Sequence, residues 1–246
     1  MTARPQPWGD AKPQDMSIIK DLDRLRVEYI KDDRLAYLGH LEVLETINRC
    51  IRRAQLPFSI GNGFARRMRI QFSQALPVGA SSCCEYFDLR LNEYVDAQEA
   101  LEGLAAATPP ALAPRRAAYI EGRVPALEAW LNRSSWDVRL VGAGVSCAQL
   151  VDLLSNTAVQ GTLNYMRGEK PKSIDLNSAL VEFSVDSDGD DLQLTLETRS
   201  SNEGALRPKI LLDAALSGIE RPYRHLKVAR TAQRHETSDG HLVNPL

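Results

Sequence analysis

Apolar residues along this chain switch repeatedly between a spacing of two and a spacing of three to four, and they do so in the same order twice. The first spacing belongs to a strand with one buried face, the second to a helix with one buried stripe. Leu25, Val27 and Tyr29 alternate with Arg24, Arg26 and Glu28, which predicts a first strand. Lys31-Asp32-Asp33-Arg34 reads as a turn, with Leu35 to Leu38 as a short returning strand. A helix is expected from about His40 to Gln55, its apolar face formed by Leu41, Leu44, Ile47, Ile51 and Ala54, with Pro57 ending it. Met68, Ile70 and Phe72 mark a second strand and Phe87, Leu89 and Leu91 a third. Asp96 and Glu99 then suit a capping box for a helix burying Ala100, Leu101 and Leu104, closed by Pro109-Pro110. A fourth strand fits Ala113 to Arg123.

After an apolar stretch at Leu127 to Trp130 the order returns. Trp136 to Val141 reads as a strand, and Ser146 with Gln149 caps a helix to about Ser155. Val181, Phe183 and Val185 pair with Leu192, Leu194 and Leu196 across an Asp188-Gly189 turn. Arg207-Pro208 opens a helix carrying Ile210, Leu211, Ala214 and Ala215, and Leu226 and Val228 lie on a last strand. Gly161 to Asp175 is a long, less regular insertion. The expected fold class is therefore α+β, two tandem ferredoxin-like (βαββαβ) halves with antiparallel sheets. The expected boundaries are a disordered lead-in at 1–22, halves at 23–133 and 134–235, and a flexible tail at 236–246.

The net charge of −2 sets up no global field that would attract nucleic acid, so any anion site must be local. No apolar run approaches the roughly 18–20 residues of a membrane span, and Met1 to Asp15 carries no hydrophobic segment of a signal peptide. A cytoplasmic location is expected. Cys50, Cys83, Cys84 and Cys147 form no C-x-x-C pair, so no zinc, redox motif or cofactor is expected. Adjacent Cys83 and Cys84 should point to opposite faces of a strand.

Arginine is dense between the first helix and the second strand: Arg49, Arg52, Arg53, then Gly61-Asn62-Gly63-Phe64, then Arg66, Arg67 and Arg69. Guanidinium forks pair with phosphate oxygens, and Gly61 and Gly63 would let backbone N–H groups approach an anion. The same arginines could instead complement the helix dipole, and Glu45 can pair with Arg49 across one turn. Arg115, Arg116 and Arg123 fall on the fourth strand. Gly142-Ala143-Gly144 lacks the third glycine of a dinucleotide fingerprint, and the acidic run Asp186 to Asp191 has its glycine misplaced for a calcium loop. Of the four histidines only His40 sits at an element start, and His40, Glu85 and Asp88 are the candidates for catalysis if the chain is an enzyme. No nucleophile–base–acid set can be assembled, which favours a non-enzymatic protein.

Arg24 to Tyr29, Gly39-His40-Leu41-Glu42, Ile51-Arg52-Arg53-Ala54, Pro57, Ala75-Leu76-Pro77-Val78-Gly79, Ser82, Glu85-Tyr86 and Asp88 together resemble the radical SAM-linked domain-of-unknown-function family. Val124-Pro125, Lys172 to Asp175 and Leu206-Arg207-Pro208 extend the likeness, which spans about residues 24–231. Before the second strand the chain departs from the family's Ser-x-Gly-Phe-Asn-Pro-His-Pro-like stretch. Ser59 to Met68 is longer, more basic, and lacks both prolines and the histidine. The resemblance implies an accessory or substrate-presenting module, with RNA as one substrate, acting beside a separately encoded radical SAM enzyme. That partner would supply the three-cysteine cluster, for which this chain has no motif.

Overall fold

Alternation at the first strand holds. The computed structural model describes residues 24–61, 64–121, 125–201 and 204–246, so the expected lead-in lies outside the described residues. Strand β1 (Arg24–Lys31) buries Leu25, Val27 and Tyr29 against α1 (His40–Arg53) and α2 (Ala97–Ala107). The Glu42 carboxylate accepts from the Gly39 N–H at 2.7 Å and starts α1, while Asp96 accepts from the Gln98 and Glu99 N–H groups and starts α2. The buried stripe of α1 is Val43, Ile47, Cys50 and Ile51, and Leu41 is 74% exposed rather than core. Between β1 and α1 the expected strand at Leu35 to Leu38 is a single 3₁₀ turn, Asp33–Leu35. The Asp32 carboxylate accepts the Arg34 N–H and draws the backbone out of the extended region.

The remaining elements follow in order. They are β2 (Ile70–Phe72), β3 (Ala80–Arg90), β4 (Pro114–Tyr119), α3 (Leu127–Trp130), β5 (Arg133–Val141) and α4 (Cys147–Val159). Then come β6 (Thr162–Arg167), β7 (Lys170–Asp175), α5 (Leu176–Ala179), β8 (Leu180–Asp188), β9 (Asp191–Ser201), β10 (Gly204–Ala205), α6 (Pro208–Ala215), β11 (His225–Glu236) and β12 (Leu242–Val243). Strand β4 ends at Tyr119, and Arg123 lies outside the described residues. The insertion expected to be irregular is a regular hairpin, β6 with β7, turned by Gly168 in the left-handed region at φ 61°.

Pairing gives an order β4-β1-β3-β2 in the first half and β11-β5-β9-β8 in the second, all antiparallel. The halves do not keep separate sheets, however. Val228 to Arg230 of β11 pair with Ala80 to Ser82 of β3 in parallel, merging both into one ten-stranded sheet among the described residues. Strand directions follow from the register. β1 opposes β3, β3 runs with β11, and β11 opposes β5, so β1 and β5 point the same way. Val228 lies opposite Val138 and Arg230 opposite Trp136, on the face that packs α4 and α6. Across the joint they lie opposite Ala80 and Ser82, and Ser82 opposes Lys31. All four long helices therefore cover one face.

The other face of the first half is sealed by α3 and the end of the chain. Leu127 and Leu131 pack with Cys84 and Tyr86, and Trp130 and Leu246 close the cluster. The segment expected to be a flexible tail is tied down instead. β12 pairs with the end of β11, and the Pro245 carbonyl accepts from buried Arg26 at 3.1 Å. Glu236, where that tail was expected to begin, accepts from Arg199 at 2.7 and 2.9 Å and from Arg133 at 2.9 Å. Hydrogen bonds from Arg199, then Arg133, hold its pKa down to about 2. A depressed carboxylate contributes stability above its unfolded pKa and loses it as the pH falls through the folded value. Glu236→Gln is therefore expected to lower the melting temperature at pH 7 and to change it little near pH 2, read by thermal melts. A penalty of equal size at both pH values would contradict the pairing.

Candidate functional site

Two places collect the residues the sequence singles out. The first is the joint between halves. Register along β1 and β3 slips between Tyr29, which faces Glu85, and Lys31, which faces Ser82, so β3 carries an extra residue there. Across the joint, β11 slips between Arg230 and Ala232. These bulges turn Glu85, Arg230 and Gln233 towards one another. The Arg230 guanidinium donates to both Glu85 oxygens at 3.0 and 2.9 Å and to the Gln74 carbonyl at 2.9 Å, and it lies 5.2 Å from the Trp136 ring centre. Gln233 donates to the Cys84 carbonyl at 2.6 Å, and Ser73 donates to Glu85 at 3.3 Å. Beside them the Lys31 ammonium donates to the carbonyls of Ala36, Leu38 and Ala80 at 3.0, 2.9 and 3.3 Å. Burial lowers the Lys31 pKa, with Glu85 opposing the shift, and burial raises that of Tyr29.

His40 stands half-buried near this network, edge-on to Phe72 with ring centres 6.3 Å apart. Burial lowers its pKa, and Glu85 opposes that shift. Asp88 does not join them. It lies on the opposite face, where it receives Arg26 at 2.7 and 3.0 Å, beneath α3 and the chain end. The three candidates for catalysis thus form no single set, and Glu85 and Asp88 are each held by a guanidinium in a two-pronged grip. A buried carboxylate so engaged is a structural counter-ion.

Cys83 and Cys84 sit on the same bulge, one exposed and one buried. The hydrogen bond from Cys84 favours the Cys83 thiolate and lowers its pKa to about 7, although partial burial opposes this. The same bond, then burial, raises that of Cys84.

The second place is the connection from α1 to β2. Ser59 to Gly61 and Arg67 to Arg69 run side by side as a short ribbon. The Gly61 N–H donates to the Arg67 carbonyl and the Arg69 N–H to the Ser59 carbonyl, both at 2.8 Å. Buried Met68 anchors it, and Phe64 projects from the tip fully exposed. Because the Gly61 N–H is engaged inside the ribbon, it offers nothing to an anion, contrary to the expected role. Gly63 lies outside the described residues. What remains is side-chain chemistry. Arg49 donates to Glu45 at 3.3 Å, as the i,i+4 spacing predicts, and the Arg52 guanidinium sits 5.8 Å from the Phe58 ring centre. Arg52, Arg53, Arg66 and Arg67 are exposed and Arg69 is half-buried. Arg52, Arg53, Arg67 and Arg69 form no ion pair among the described residues. Arg116 instead pairs with Glu28 at 2.6 Å on another part of the surface.

The weaker motifs resolve into turns. The Gly142 N–H donates to Asp191 at 2.8 Å and the Gly144 N–H to the Pro222 carbonyl at 2.9 Å, leaving neither for a phosphate. Asp188 and Asp191 pair with Arg139 at 2.9 and 2.8 Å.

Breaking one partner of a buried ion pair leaves an unpaired charge and costs about 3–5 kcal/mol, whereas replacing both by apolar groups is often near neutral. Arg230→Met is expected to fall in that range by urea unfolding, with Glu85→Leu in the same chain recovering most of the loss. A double variant no more stable than the single one would show that Glu85 is held by other contacts.

No curated protein sequence matches the chain. Among solved structures it is similar to a chain of a Cbf5-Nop10-Gar1 complex, with 9% identity and a TM-score of 0.45, covering 94% of this chain and 55% of that one. A chain of an H/ACA RNP bound to a substrate RNA containing 2'-deoxyuridine has 8% identity and a TM-score of 0.43, covering 90% of this chain and 51% of that one. An unknown protein from Galdieria sulphuraria has 9% identity and a TM-score of 0.26, covering 86% of this chain and 100% of that one. The chain spans about half the length of the first two. Residues 24–208 match the family described as uncharacterized protein conserved in bacteria, DUF2344, and the chain belongs to that family.

Proposed function

We propose that this chain is a non-catalytic accessory module that binds RNA through the ribbon after α1 and works beside a separate radical SAM enzyme. The observation that carries the RNA reading is the ribbon surface itself. Exposed Arg52 and Arg53 end α1, and exposed Arg66 and Arg67 follow a fully exposed phenylalanine, Phe64, on the ribbon. Guanidinium groups pair with phosphate oxygens, and an aromatic face stacks on an unpaired base. Six arginines elsewhere, Arg26, Arg116, Arg133, Arg139, Arg199 and Arg230, are each neutralised by a carboxylate, whereas Arg52, Arg53 and Arg67 form no ion pair among the described residues. The enzyme partner rests on the motif resemblance, and the cysteine spacing of this chain is consistent with the cluster residing in that partner. Each half, on its strand order, is read as a ferredoxin-like unit.

A second reading is supported by a cleft of about 290 Å³ lined by Gln74, Glu128, Ser200 and Ser201 between the halves. It would make the chain an enzyme acting on a small polar molecule, with His40 nearby. A metabolite turnover screen in which His40→Ala matches wild type would count against that site.

RNA binding is tested by fluorescence anisotropy over a salt series. Affinity for a single strand falls with log salt by about 0.7 per phosphate contacted. Replacing Arg52, Arg66 and Arg67 by Ala is expected to weaken binding and to reduce the slope by about 2. Wild-type binding indifferent to both salt and these substitutions would overturn the proposal.

A further inference from the structure

The strand orders β4-β1-β3-β2 and β11-β5-β9-β8 place the connection after α1 and the connection after α4 at equivalent positions in the two halves. Both connections are two-stranded ribbons. The second is β6 with β7, paired over six residue positions from Thr162 with Asp175 to Arg167 with Lys170. It carries Arg167, Lys170 and Lys172, all exposed and without an ion pair among the described residues. Met166 is 62% exposed beside them, and Tyr165 is half-buried. Of the ribbon's two acids, Asp175 accepts from the Asn177 N–H and caps α5, and neither it nor exposed Glu169 at the turn forms an ion pair with these cations among the described residues. Arg207, at the start of α6, is close enough for Arg167 to lower its pKa, although burial is the larger cause.

Strands β1 and β5 point the same way, and the helices of both halves cover one face. Each ribbon follows a helix that returns from the far end of its strand, so both ribbons leave the sheet at the end where β1 and β5 begin. Those strands are three interstrand steps apart, about 14 Å, and because Lys31 lines up with Trp136 through Ser82 and Arg230, their starts are offset by about 13 Å along the strands.

From this placement we propose that the β6–β7 ribbon is a second RNA contact, through Arg167, Lys170 and Lys172, so that one RNA strand is held at two points by the two ribbons. This inference rests on the RNA reading of the first ribbon. Two linked contacts make the second binding step intramolecular, and affinity then depends on whether the ligand is long enough to reach both.

The test is anisotropy with labelled single-stranded RNAs of about 5 and about 20 nucleotides, lengths that bracket one contact and both. The proteins compared are wild type, the triple variant Arg52→Ala, Arg66→Ala and Arg67→Ala, and the triple variant Arg167→Ala, Lys170→Ala and Lys172→Ala. Either triple variant is expected to bind the long RNA at least about tenfold more weakly than wild type, while changing affinity for the short RNA by no more than about twofold. Arg167→Lys, which keeps the charge, should bind the long RNA as wild type does. If the β6–β7 variant binds the long RNA normally and the first-ribbon variant does not, the second contact is wrong and the first stands. If wild type binds neither RNA, both fail together. Melting temperatures of the variants close to wild type would confirm that exposed side chains alone were changed.

Discussion

The buried ion pair between Arg230 and Glu85 decides how the two halves sit in one sheet. Direct backbone pairing across the joint extends over only three residues of each strand, Val228 to Arg230 and Ala80 to Ser82. So short a parallel contact supplies little register on its own. The guanidinium fork does, because a charge taken out of water must find its partner in one geometry. Bulges on both strands bring that geometry about, and Ser73, Gln233 and the Gln74 carbonyl satisfy the remaining polar capacity. With the halves locked, β1 and β5 share a direction, and what leaves the sheet at their starts leaves it towards the same side.

Charge is therefore divided by place rather than by amount. Inside and along the sheet, arginines meet carboxylates and act as mortar: Arg26 with Asp88, Arg133 and Arg199 with Glu236, Arg230 with Glu85. On the two ribbons, Arg67, Arg167, Lys170 and Lys172 are exposed and form no ion pair among the described residues. A net charge of −2 hides this division completely. The proposed RNA face depends on it, since attraction follows the local field rather than the total.

Much of the first half was legible because strand alternation and helix caps are local. Leu25, Val27 and Tyr29 point inward as their spacing says, and Asp96 and Ser146 cap the helices they precede. Leu41 misled because a first-turn apolar residue can extend the 3.6 spacing without lying over the sheet, where Val43 and Ile47 do. Glu85 and Asp88 differ in parity along one strand, so their separation onto opposite faces was already implied by the pleat. In the hairpin at 162–175 only Leu163, Tyr165 and Ile174 face the core, too short an apolar alternation to mark strands, and only Gly168 marks its turn. Strand β3's pairing with β11 could not be read at all, because it joins residues about 150 positions apart through two bulges. The end of the chain was misjudged for a related reason. Its short polar sequence carries no periodicity, yet Pro245 and Leu246 reach back to cover Arg26 and Tyr86.

Whether both ribbons face one RNA is tested most directly by ultraviolet crosslinking of a bound single-stranded RNA, followed by mapping of the linked peptides. The account predicts crosslinks within residues 58–70, centred on Phe64, and within residues 162–175, at Tyr165 or Met166, from the same complexes. Crosslinks confined to Tyr37, Leu41 and Val78, which are exposed at the opposite end of β1, would contradict it. They would mean that RNA approaches from the side of His40 and the joint.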